Sequence, residues 1–182
     1  MVAYKSNAKN KIMEKNMLQY LDIIKQALEQ LYYNDHELFV GHTHEQTFTF
    51  RIAHYLAQLL ENSNNGLFVD CEYHRDKNNE SGLKELPTNT NRKSHFRPDI
   101  IFHNRDTDNR FCIEAKINNT LTDISKMRKI LLTYNTYQEG YCIYNITACG
   151  VTVWCKSNIN GAEEQHEYSW NGKLLMSKNG EI

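Results

Sequence analysis

The sequence predicts an α/β domain, a mixed β-sheet core with flanking helices, preceded by an N-terminal helix and closed by a C-terminal β-ribbon. Three observations carry this. Two early stretches repeat apolar residues at three- to five-residue steps with charges between them, the helical signature. A hairpin pattern then runs from Asp99 to Lys116, with two apolar segments around a polar turn. A third helical stretch separates this hairpin from two runs rich in aromatic and β-branched residues, an order that sets antiparallel hairpins beside a crossover helix.

The chain of 182 residues reads as one domain, long enough to bury a sizeable core. Residues 12–33 form the N-terminal helix, 43–156 the core and 157–182 an extension. In the first helix Ile12, Met17, Leu21, Ile24, Leu28 and Leu31 make one apolar stripe. The pattern breaks over Asn34 to Gly41. A second helix begins near Thr43, whose hydroxyl and Gln46 have the spacing of a capping box, and ends near Glu61 before the cluster Asn62 to Gly66.

Leu67 to Tyr73 is a strand whose acidic side carries Asp70 and Glu72. From His74 to Arg97 the apolar periodicity is lost, as expected of an insertion or long loop. Its cations Arg75, Lys77, Lys84, Arg92, Lys93 and Arg97 outnumber its acids. The hairpin follows, with strands at Asp99 to His103 and Phe111 to Lys116 and a turn over Asn104 to Asn109. Thr122 or Asp123 can cap the next helix, which runs through Ile124, Met127, Ile130, Leu131 and Tyr134. Strands at Tyr141 to Thr147 and Val151 to Lys156 come next. Asn171 and Gly172, between Tyr168 to Trp170 and Lys173 to Met176, mark the turn of a terminal ribbon.

Composition narrows the function. A formal charge of −1 and a pI near 6.7 mean that a polyanionic partner must be met by a local basic patch. The five cysteines are odd in number, lack a CxxC pair and sit mostly in apolar runs, the pattern of reduced, buried thiols. The start of the chain has no apolar leader and no run is long enough to cross a bilayer, so the expected location is cytoplasmic. His42, His44 and His54 lack a convincing third-ligand spacing for zinc. Cys112 has no histidine in its strand to activate it. Trp154 and Trp170 read as packing residues.

The chemistry gathers at the hairpin. With its turn centred on Asp106 and Thr107, Asp99 lies opposite Glu114, and directly opposed side chains on one sheet face have Cβ atoms about 5 Å apart. Two carboxylates so close repel unless a proton or a cation compensates. Lys116 follows Glu114 at strand period two and brings an amine to the same face. Glu45 adds a third acid: at roughly 100° per residue it falls within about 20° of Ile52 and Leu56, on the apolar stripe of its helix. On the helix alone two readings stand, a carboxylate that needs a partner and one that favours the helix N-terminal dipole. An all-oxygen set of this kind suits Mg²⁺ or Mn²⁺.

At these residues the sequence resembles a family. Pro98-Asp99 followed by Glu114-Ala115-Lys116 has the PD-(D/E)xK form of the restriction-endonuclease-like nucleases, and the elements over Thr43 to Lys156 follow that family's αβββαβ core order. The resemblance implies metal-dependent hydrolysis of DNA phosphodiester bonds, with Asp99, Glu114 and Lys116 catalytic and Glu45, Asp99 and Glu114 holding Mg²⁺ or Mn²⁺. Arg75, Lys77, Arg92, Lys93, Arg97 and Lys126 are candidate DNA contacts, although the cations of the third helix suit an ordinary wet face equally well. Glu72 and His103 are candidates for the site edge. A homodimer stays open, as does a non-catalytic module of the same fold that binds nucleic acid or a protein. An unrelated domain with a structural salt-bridge cluster is the third reading.

Overall fold

The computed structural model describes residues 18–41, 43–61, 66–76, 82–86, 94–118, 121–134 and 136–176. It is a mixed α/β structure built on one seven-stranded sheet. Helix α1 (Leu21–Asn34) is followed by a short 3₁₀ turn at His36–Phe39 and by α2 (Glu45–Leu60). Strand β1 (Phe68–Cys71) precedes two short strands, β2 (Glu85–Leu86) and β3 (Ser94–His95). The hairpin strands are β4 (Ile100–His103) and β5 (Asn109–Ala115), and α3 (Leu121–Thr133) crosses to β6 (Tyr137–Thr147). Strands β7 (Gly150–Ser157), β8 (Glu163–Trp170) and β9 (Leu174–Met176) complete the chain. Among the described residues no helix is long and apolar enough to cross a membrane.

The sheet order is β1-β4-β5-β6-β7-β8-β9, with β5 and β6 parallel and the other neighbours antiparallel. A parallel pair needs a crossover, and α3 supplies it. Helices α1 and α2 cover one face over Ile100, Phe102, Phe111 and Ile113. Helix α3 covers the other over Ile101, Cys112, Cys142 and Trp154. Strand β5 therefore reads as a nearly continuous apolar run because it is buried on both faces.

The hairpin register is Ile100↔Ile113, Ile101↔Cys112 and Phe102↔Phe111. Carried one step further, it sets Asp99 beside Glu114, as the sequence spacing requires. A bulge between Phe102 and His103 then pairs His103 with Asn109.

Other boundaries differ from the sequence expectation, each for a local reason. The first helix starts at Leu21; Ile12 and Met17 lie outside the described residues. The second starts at Glu45 with His44 at its N-cap and no side-chain cap, so the Thr43–Gln46 capping box does not form. Helix α3 already includes Thr122 and Asp123, which therefore sit inside its first turn and not at its cap. Strand β6 begins four residues before the expected Tyr141 because its first part serves packing with few apolar side chains. Gly140 lies directly under α3, where a Cβ would stand 2.9 Å from Leu131 and from Met127. The terminal ribbon is no separate appendage: β8 pairs with β7 from Gly150↔Ser169 to Lys156↔Glu163 and continues the main sheet. The long loop holds the small β2–β3 pair.

Two buried carboxylates lock the helices to this sheet. Glu139 of β6 accepts the Gln19 N–H at 2.7 Å and the Tyr20 N–H at 3.3 Å, meeting the positive end of α1 with a negative charge. Asp35, beyond the other end of α1, accepts Arg51 Nε at 2.7 Å and the Tyr55 hydroxyl at 2.6 Å, joining α1 to α2.

The turn between β6 and β7 is held by a glycine for want of space. A Cβ on Gly150 would lie 2.1 Å from the Tyr168 carbonyl oxygen, a backbone atom that cannot rotate away. Gly150→Ala is expected to lower unfolding free energy by about 1–3 kcal/mol, the range of overpacked cores. Urea denaturation checks this, and an unchanged midpoint would contradict it.

Candidate active site

Asp99 stands where the chain enters β4, immediately after Pro98. Its Oδ2 accepts the Ala115 N–H at 2.8 Å, a bond across the hairpin that orients the carboxylate toward the end of β5. Its carbonyl accepts the Glu72 N–H at 3.0 Å. Glu114 projects from β5 toward α3, and its side chain is only 4% exposed. Lys126 Nζ reaches it from α3 at 3.0 Å.

Lys116 follows the last residue of β5 and is kept in line by its N–H bond to the Ile143 carbonyl, 2.8 Å. Its amine lies 2.6 Å from Glu45 Oε1 and 4.0 Å from Asp99 Oδ2. Glu45 Oε2 also accepts the Ile117 N–H at 3.3 Å. The glutamate at the start of α2 is thus bound to the chain just past β5, and its carboxylate has a specific partner.

Burial sets the electrostatics. Desolvation pushes the Glu114 carboxyl up to about 7, reinforced by repulsion from Asp99 and only partly offset by Lys126. Desolvation likewise raises the Asp99 carboxyl, against the pull of the Ala115 N–H and Lys116. Burial works against the Lys116 ammonium, but the Glu45 bond and the nearby carboxylates outweigh it and leave its pKa above the ordinary lysine value.

A groove beside these groups is lined by Glu45, Thr49 and Phe50 of α2, by Cys71 and Glu72 at the end of β1, and by Asp99. Glu114 stands behind Asp99 and does not line it. Phe50 is 64% exposed, an aromatic face on the groove wall that the helical stripe gave no reason to single out. Glu72 adopts a left-handed backbone, φ 52°, a conformation that costs a non-glycine residue ~1–3 kcal/mol. Its carboxylate meets Arg97 at 3.4 Å.

The remaining candidates separate. His103 is not at the site edge: it lies four residues along β4 from Asp99, about 13 Å at strand rise. There it is buried, 2.9 Å from Asp70 and in edge contact with Tyr73. Burial lowers its pKa. Arg75 lines a different cavity, beside His103. Lys126 faces inward to Glu114 instead of outward, a role that its place among the helix cations did not reveal. Lys77, Arg92 and Lys93 lie outside the described residues. Cys112 is buried and its thiol is pushed up by desolvation, which leaves it inert.

Among the described residues no three histidine, cysteine or acidic side chains are gathered closely enough to hold a metal ion as placed. The amines of Lys116 and Lys126 lie against Glu45 and Glu114 instead. The donor chemistry nonetheless fits a hard divalent cation: every candidate ligand is a carboxylate oxygen, and Asp99 and Glu114 repel each other in a desolvated place.

This arrangement has a measurable pH signature. Glu114 holds a proton in the folded protein that the unfolded chain releases near its ordinary value, so the folded state binds more protons between about 4.5 and about 7. Stability contributed by this group is therefore lost as pH rises through that window. Glu114→Gln is expected to flatten the decline, measured as the difference in urea midpoint between acidic and mildly alkaline buffer; an unaltered slope would contradict the assignment.

Compared with known proteins, the chain matches no family model, no curated protein and no solved structure.

Proposed function

We propose that this protein is a Mg²⁺- or Mn²⁺-dependent nuclease that hydrolyses DNA phosphodiester bonds, with its catalytic centre at Asp99, Glu114 and Lys116 on a restriction-endonuclease-like core. The observation that supports this most is the pairing of a buried carboxylate, Glu114, and a half-buried one, Asp99, which repel each other, with a lysine ammonium 4.0 Å from Asp99. A purely structural cluster gains little from keeping two acids together out of water.

In this reading Asp99, Glu114 and Glu45 hold the divalent cation, which supplies charge neutralisation and a water of lowered pKa when bound. The Ala115 N–H fixes the Asp99 carboxylate, so the ligand does not have to be ordered when the cation arrives. Lys116 keeps its proton and donates a hydrogen bond to the phosphoryl oxygen on which charge develops. Hydrolysis adds the water oxygen to phosphorus and breaks the bond to the leaving oxygen, which takes up a proton from solvent. Arg97 on the groove edge contacts a flanking phosphate, and Phe50 offers a face for base stacking. Arg97 and Phe50 are thus the local groups offered to DNA beside an acid-lined groove, in a chain whose overall charge is −1.

A non-catalytic module of the same fold is the second reading, and a specific observation favours it. Lys116 and Lys126 already pair with Glu45 and Glu114, at 2.6 and 3.0 Å, so two of the three carboxylates are compensated without a cation.

Two measurements separate them. The nuclease reading expects Mn²⁺ or Mg²⁺ to raise the melting temperature of the wild type but not of Asp99→Ala. Cleavage of a panel of linear, single-stranded, branched and modified DNA should fall by roughly 10²-fold or more in Asp99→Ala, Glu114→Ala and Lys116→Ala. A folded wild type that neither responds to the cations nor cuts any member of the panel would leave the module reading in its place.

A further inference from the structure

At the far end of the β4–β5 hairpin from the acids lies an enclosed cavity of about 210 Å³. Its walls include Tyr73, Lys84, Asn109, Tyr134 and Thr136. Lys84 is the unusual member, being only 4% exposed. A buried ammonium is ordinarily paired with a carboxylate. Among the described residues, the hydrogen-bond partner of the Lys84 amine is the neutral Tyr137 hydroxyl. The ring faces of Tyr73 and Tyr137, at 5.5 and 5.0 Å from the amine, and the field of the Asp76 carboxylate on the rim offset part of its charge.

The position is fixed by the backbone. The Lys84 N–H donates to the His74 carbonyl at 2.8 Å and its carbonyl accepts the Phe96 N–H at 2.8 Å, so its backbone is tied on both sides, while its amine donates to the Tyr137 hydroxyl. Burial pulls the ammonium down to about 8, which leaves it charged at neutral pH. The rim carries charges of both signs: Arg75, Arg105 and the acids Asp76 and Asp106. The Arg105 charge is taken by Asp70, with two bonds of 2.7 Å.

We propose that this cavity is a binding site for a small organic monocarboxylate, whose single negative charge pairs with Lys84 and whose body lies between Tyr73 and Tyr134. One buried ammonium matches one negative charge, which favours a monoanionic carboxylate over a phosphate dianion. The volume falls below the ~300–1,000 Å³ of drug-sized sites and limits the ligand to a small molecule. Asn109 and Thr136, joined by a 3.0 Å hydrogen bond, provide polar contacts on the wall for a hydroxyl or carbonyl substituent. The site is argued from the cavity alone and does not rest on the acidic centre being a nuclease.

The test is isothermal titration and thermal shift of the full chain with acetate, butyrate, benzoate and inorganic phosphate at constant ionic strength. Saturable binding of at least one carboxylate, tighter than phosphate by about tenfold or more, is expected for the wild type. Lys84→Met should fold, since it replaces a buried charge by an apolar side chain of similar length, and should lose that binding. Tyr73→Leu, which leaves Lys84 in place, should weaken benzoate more than acetate. Absence of saturable carboxylate binding, phosphate binding as tight as the best carboxylate, or full binding by Lys84→Met would each overturn the proposal.

Discussion

Two carboxylates on neighbouring strands, Glu114 buried and Asp99 half-buried beside it, set the constraint around which this structure is arranged. Burial raises the proton affinity of both, Asp99 raises that of Glu114 further, and Glu45 raises that of Asp99. Such a pair persists only where the surrounding fold supplies compensating charge from several directions at once. Helix α2 contributes Glu45, which orients Lys116 against Asp99, while α3 contributes Lys126 to Glu114 from the opposite face of the sheet. The crossover by α3 therefore does more than connect two parallel strands. It brings a cation over the acid that the hairpin buries.

The two ends of the β4–β5 hairpin solve opposite electrostatic problems. At one end, acids in excess are balanced by two lysines. At the other, a single ammonium at Lys84 is set among phenol rings and a hydroxyl, and burial lowers the pKa of His103 against the pull of Asp70. Both ends lie beside concave surface, a groove next to the acids and an enclosed cavity next to the lysine. The apolar middle of the hairpin, Ile100 to Phe102 against Phe111 to Ile113, separates them and keeps their charges from cancelling directly.

What could be read from the residues was whatever depends on local period. The hairpin register follows from counting back from its turn, and the place of Glu45 on the apolar stripe follows from its angle on the helix, although that angle does not say that it meets the end of β5. What could not be read depends on partners distant in sequence. The pairing of Lys126 with Glu114 requires knowing which face of α3 meets the sheet, and its neighbours Arg128 and Lys129 look the same in one dimension. The early part of β6 was hidden because Gln138, Glu139 and Gly140 lack strand-like apolar character; the glycine is dictated by the closeness of α3 and the glutamate by the end of α1. Strand β8 was recognised only at Tyr168 to Trp170, since its charged half, Glu163 to Glu167, faces largely outward. Thr43 misled for a simpler reason. Its spacing to Gln46 suits a cap, but the helix starts one residue too late to use it.

The bond between Glu139 and the start of α1 also orders events in time. Gln19 and Glu139 are separated by 120 residues, so during synthesis on a ribosome the helix emerges long before the carboxylate that receives its amino end. A lone helix of 14 residues is marginal in water. Until β6 has been made and paired, α1 lacks its electrostatic anchor and the part of the sheet face that Tyr141 and Ile143 add to the cluster burying Ile24, Leu28 and Leu31. The first helix in the sequence is thus among the last to be secured. While the central strands are still being translated, the nascent chain can cover that apolar stripe only in part, against α2.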